Sequence, residues 1–97
     1  MPNIPEVTKD YVLRQILEEV ILVPVSPKAR QKNQLIVLNP TAAAFYLGIK
    51  AGKNKEEICA LAGEEFEIGT ASIAQDFDEF LREMKELEVL HERPTQD

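Results

Sequence analysis

At Asn39-Pro40 the sequence changes period, and that change decides the fold class. Before it, apolar residues come in short runs: "YVLRQIL" (Tyr11–Leu17), "VILVPV" (Val20–Val25) and "QLIVLN" (Gln34–Asn39). The second and third runs read as strands. The first reads as a strand, although its Leu, Arg and Gln also suit a helix. After Pro40 the apolar residues recur every three or four positions, the spacing of a helix with one buried face. Asn39 suits an N-cap and Pro40 the first helical position, where no amide donor is needed. This predicts a helix from about Pro40 to Lys50, ending near Gly52. Asn54 and Glu57 have the spacing of a capping box and open a second helix, with Ile58, Leu61, Ala62 and Phe66 on one face. Thr70 is expected to cap a third helix reaching about Glu88, striped by Ile73, Phe77, Phe80, Leu81, Met84 and Leu87.

Three strands followed by three helices do not alternate, which excludes a doubly wound α/β fold. The expected architecture is α+β, a three-stranded antiparallel sheet followed by three helices packed on one face. "SPKARQKN" (Ser26–Asn33) supplies turn chemistry between the second and third strands. Pro24 donates no ladder hydrogen bond and belongs at an outer edge or near a strand's end. Residues 1–10, with two prolines, are expected to be an irregular arm, residues 11–90 the domain, and residues 91–97 a tail.

Charge and residue inventory narrow the function. Net charge is −6, and between Glu64 and Glu92 ten acidic residues face only Arg82 and Lys85. Lys28, Arg30 and Lys32 form a basic cluster that would serve as the wing of a DNA-binding winged helix. The last helix, however, is acidic and unsuited to a phosphate backbone, so no nucleic-acid partner is expected. Catalysis is not expected either. His91 lies in a polar tail, Cys59 has no nearby histidine to activate it, and the glycines are too scattered for a phosphate loop. The acids of the last helix read as a solvated face rather than a metal site, and no cofactor is implied. No apolar run is long enough to span a bilayer and the N-terminus lacks a signal-peptide pattern, so a cytoplasmic protein without membrane contact is expected.

One feature remains unabsorbed. A strand with one face in water should alternate apolar and polar residues, yet Leu35, Ile36, Val37 and Leu38 are all apolar. Either the strand is buried on both faces, or its second face serves a guest. The stretch alone supports the two equally. A vacant edge there would accept an extended peptide through backbone hydrogen bonds. It would also accept the same strand of a sister copy, giving a homodimer.

The run "LNPTAAAFYLGIKAGKNKEEICALAGEEFEI" followed by "ASIAQDFDEFLREMKELEVL", with "LRQILEEVILVPV" before it, resembles the PqqD-like family over roughly residues 11–90. The resemblance implies a winged-helix-like fold that recognises the leader of a ribosomally made precursor peptide. In that family the leader adds as a strand against strand three, with the last helix as the opposite wall. A partner enzyme, often a radical S-adenosylmethionine protein, modifies the core segment. Carried to this chain, the resemblance implies Leu35, Ile36, Val37 and Leu38 for pairing, with Ile73, Asp76, Phe77 and Phe80 from the helix. Tyr46 stands where many members have tryptophan. Members dedicated to pyrroloquinoline quinone carry Tyr-Pro-Glu and, near the end, Arg-Gly-Trp. Here those regions read "LVPVS" and "ELEVL", which implies a different peptide pathway.

Overall fold

The computed structural model describes residues 6–32 and 34–91. The first five residues of the expected arm, Asn33 and everything after His91 lie outside the described residues. Among the described residues nine elements follow in order: β1 (Glu6–Val7), β2 (Tyr11–Ile16), β3 (Glu19–Pro24), α1 (Pro27–Gln31), β4 (Ile36–Leu38), α2 (Pro40–Lys50), α3 (Lys55–Glu65), α4 (Thr70–Glu86) and β5 (Leu90–His91). The expected α+β class and three-stranded antiparallel sheet are both present, in the order β2-β3-β4. β2 and β3 pair from Tyr11↔Pro24 to Ile16↔Glu19, and β3 pairs with β4 over Val20↔Leu38, Ile21↔Val37 and Leu22↔Ile36. Pro24 therefore ends the central strand beyond the reach of β4, where its missing donor breaks no β3–β4 bond. The β2–β3 hairpin turns through Leu17, which takes a left-handed φ of 58° and is 92% exposed.

The helices follow their caps. The Asn39 side chain accepts from the Ala42 amide at 2.8 Å with Pro40 in the first turn, and Asn54 and Glu57 close a reciprocal capping box. α2, α3 and α4 all end the same way. The residue after each C-cap turns left-handed (Gly52, Glu67, Glu88), and the next amide donates to the carbonyl five residues back: Lys53 to Gly48, Ile68 to Gly63, Val89 to Met84. Only one of the three positions is glycine. The left-handed Glu88 also carries an ion pair, its carboxylate meeting Lys32 Nζ at 2.6 Å and Lys28 Nζ at 3.4 Å. The hydrogen bond from Lys32, reinforced by both positive charges, lowers the Glu88 pKa from its ordinary value.

Several expectations are corrected. The Ser26–Asn33 segment is not simply a turn: Ser26 Oγ accepts from the Ala29 amide and Pro27 opens α1, which buries Ala29. A fourth helix therefore precedes the three expected. Thr70 does not cap α4. Thr70 is already the first helical residue, and the N-cap position falls to Gly69, which has no side chain to make a capping bond. Leu61 does not share the buried face of Ile58 and Ala62 but is 55% exposed. Strand three is narrower than Gln34–Asn39, since Asn39 is spent on capping α2 and Gln34 and Leu35 precede the ladder. Glu6–Val7, within the expected arm, form β1 and pair with Leu90–His91 of β5.

The core lies between the sheet and α2–α4. Leu22, Ile36 and Leu38 supply it from the strands, and Ile73, Phe77, Phe80 and Met84 from one stripe of α4. Phe45 of α2 meets Phe77 edge-on at a centroid distance of 5.1 Å and Phe80 at 5.5 Å. Where α2 crosses α3 the helices nearly touch: a Cβ placed on Gly48 would stand 2.7 Å from Ile58 Cγ1. In an open helix Gly→Ala stabilises by up to about 1 kcal/mol. At this crossing Gly48→Ala is expected to destabilise by about 1–3 kcal/mol through overpacking, read from urea unfolding of the variant.

Candidate functional site

β4 is one of the two outer strands of its sheet, β2 being the other, and among the described residues no strand pairs with its free side. Its alternation answers the question raised by the sequence. Ile36 and Leu38 point into the core and are buried, whereas Val37 is 60% exposed and Leu35, just before it, 63%. The strand is thus not buried on both faces. Its uninterrupted apolar run combines an ordinary core face with a second apolar face in solvent, next to unused backbone donors and acceptors.

A cleft of about 250 Å³ opens where β4 gives way to α2. Asn39, Thr41, Ala42 and Phe45 form one side, and Asp76, Glu79, Phe80 and Glu83 of α4 the other. Asp76, Glu79 and Glu83 are spaced i, i+3, i+7 and so share a flank of α4 beside its buried stripe. No cation lines the cleft, and none of the three carboxylates forms an ion pair with another described residue. The Lys55–Asp78 pair at 2.9 Å involves a different α4 residue that does not line this cleft.

Of the residues implied by the resemblance, the structure brings some together and withholds others. Leu35 and Val37 are accessible, while Ile36 and Leu38 turn their side chains into the core. Asp76 is exposed on the cleft rim and Phe80 lies in its lining with little surface free. Ile73 and Phe77 are core residues, 1% and 0% exposed, because the stripe that faces the sheet cannot also face the cleft. Glu79, Glu83 and Phe45 join the lining without having been singled out. The i, i+3, i+7 spacing with Asp76 is the sequence signal for Glu79 and Glu83, and it does not extend to Phe45 of α2.

Other chemistry in the molecule is sparse. A larger cleft of about 710 Å³ separates α3 from the start of α4 and includes Cys59. Burial pushes the Cys59 thiol up, opposed by Lys55 and assisted by Asp78, so the thiol is not an activated nucleophile. No group of three or more His, Cys, Asp or Glu side chains is placed to hold a metal ion among the described residues. No helix among them is long and apolar enough to cross a membrane. Two of the three cations proposed for a DNA-contacting wing, Lys28 and Lys32, are engaged by Glu88, and the β2–β3 hairpin tip carries Glu18 and Glu19.

Fold and edge together define a winged-helix-like α+β domain whose β4 edge ends at an acidic cleft that begins with Asn39. The family described as Coenzyme PQQ synthesis protein D (PqqD) matches residues 18–90, and the chain belongs to that family. Its fold is similar to the solved structure of TbiB1 in complex with the TbiA(beta) leader peptide: TM-score 0.74, 21% identity, 93% of this chain and 99% of that chain covered. No curated protein matches the chain.

Proposed function

We propose that this protein is a non-catalytic peptide-binding protein that captures the leader of a ribosomally made precursor and presents it to a modifying enzyme. The leader adds as a strand to the free side of β4, and its side chains reach the α4 cleft. The observation that carries this reading is the vacant β4 edge with Leu35 and Val37 exposed beside it. Membership of the PqqD family and the likeness to a leader-peptide complex support it. The partner implied by the family resemblance is a radical S-adenosylmethionine enzyme. The pathway is one other than pyrroloquinoline quinone synthesis, in keeping with "LVPVS" and "ELEVL" in place of that pathway's signatures.

Titrating ¹⁵N-labelled protein with the leader of a short precursor encoded beside its gene tests the reading. Amide shifts are expected at Leu35–Leu38 and along Asp76–Glu83. Shifts confined to β2 or to the hairpin tip would contradict it.

A further inference from the structure

The acidic rim beside the edge bears on what the guest must look like. A strand added to β4 alternates its side chains between two faces. On the outer face they lie beside Val37 and Leu35, both apolar and exposed. On the opposite side they are directed toward the cleft that begins at Asn39, just past β4, where Phe80 and Phe45 are apolar lining and Asp76, Glu79 and Glu83 are acidic. The carboxylates do not converge on one point, as a metal ion would require. They are strung over seven residue steps of α4, a rise of about 10.5 Å. An extended chain repeats on one face about every 6.7 Å, so two helix-facing residues two apart fall within that span.

We propose that the guest peptide carries lysine or arginine at two alternate, helix-facing positions, with apolar residues between them. This rests on the strand-addition reading above and specifies the class of peptide that the edge takes. Lysine and arginine suit both parts of the cleft. Their methylene stems lie along Phe80 while the charged heads reach the carboxylates. A guest with acids at those positions would bring like charges together on a protein whose net charge is already −6. Because no described cation occupies the cleft, the guest's cations displace none of the chain's own ion pairs there.

The test is selection of random dodecapeptides on the immobilised full chain, followed by fluorescence anisotropy of the best binder. Selected peptides should carry Lys or Arg at positions two apart, flanked by apolar residues. The triple variant Asp76→Asn/Glu79→Gln/Glu83→Gln should weaken binding about tenfold, from two to three partly exposed ion pairs. Glu64→Gln/Glu65→Gln/Glu67→Gln, which removes the same charge elsewhere, should change it less than about twofold, being remote from the contact. Selected peptides that lack the alternate cations, or equal weakening by both triple variants, overturn the inference while leaving peptide capture standing. Failure to enrich any peptide overturns the capture reading and this inference with it.

Discussion

Phe77→Ala is expected to lower the unfolding free energy by about 3–5 kcal/mol, the range for emptying a buried aromatic site. Phe77 is fully buried at the centre of α4's stripe and packs edge-on against Phe45, which also meets Phe80. Truncation removes the ring's apolar burial, leaves a cavity and breaks the aromatic pair that ties α4 to α2. A domain of this size has a total stability of about 5–15 kcal/mol, so the variant approaches unfolding at ambient temperature. In urea the midpoint should fall by roughly 2–3 M at an m-value near 1.5 kcal/mol/M. Asp76→Asn, one residue earlier but on the exposed rim, should stay within about 0.5 kcal/mol of the parent. A loss below about 1 kcal/mol for Phe77→Ala would move Phe77 out of the core described here.

That contrast also shows how far the sequence could be read. The switch of period at Asn39-Pro40 was legible because a cap, a proline and a change of spacing coincide there. The structure keeps Pro40–Lys50 as a helix capped by Asn39. The same cap-and-proline pair stands at Ser26-Pro27, but the following KARQ offers no apolar stripe, only Ala29 to bury, so the sequence there reads as a turn. The ends of α3 and α4 were harder still. Their left-handed positions hold Glu67 and Glu88 rather than glycine, and Glu88 pairs with lysines more than fifty residues earlier. No local pattern announces such a contact. β5 was hidden for a related reason, since two residues become a strand only when Glu6–Val7 arrive from the other end of the chain.

The site was half legible. An unbroken apolar run in a half-buried strand marked β4, and the structure resolves its two meanings: Ile36 and Leu38 inward, Leu35 and Val37 outward. The helix side was harder, because the resemblance assigned residues to α4 without saying which flank faces the opening. Burial separates them, with Ile73 and Phe77 in the core and Asp76, Glu79 and Glu83 on the rim. The acidic surplus late in the chain reads from sequence as a solvated face. Only the fold shows that three of those acids gather along the cleft beside the open strand.

A second large effect is expected from changes to the guest peptide rather than to the protein. An N-methyl group on a peptide amide removes its donor and adds bulk where two strands approach. A guest paired in antiparallel or parallel register offers alternate amides to β4, the others pointing away. Each bond lost should weaken binding about tenfold, near the upper net value of a hydrogen bond in water, and two lost together about a hundredfold. β4 is only three residues long, so the sensitive positions should be few and centred on the peptide segment opposite Ile36–Leu38. Scanning N-methylation along a bound peptide, read by anisotropy, therefore tests most directly whether the open strand receives a chain. Alternation of sensitive and tolerant positions is the predicted result. Uniform tolerance, or sensitivity without a two-residue period, would mean that the peptide is held by its side chains alone and that β4 is not where it joins the sheet.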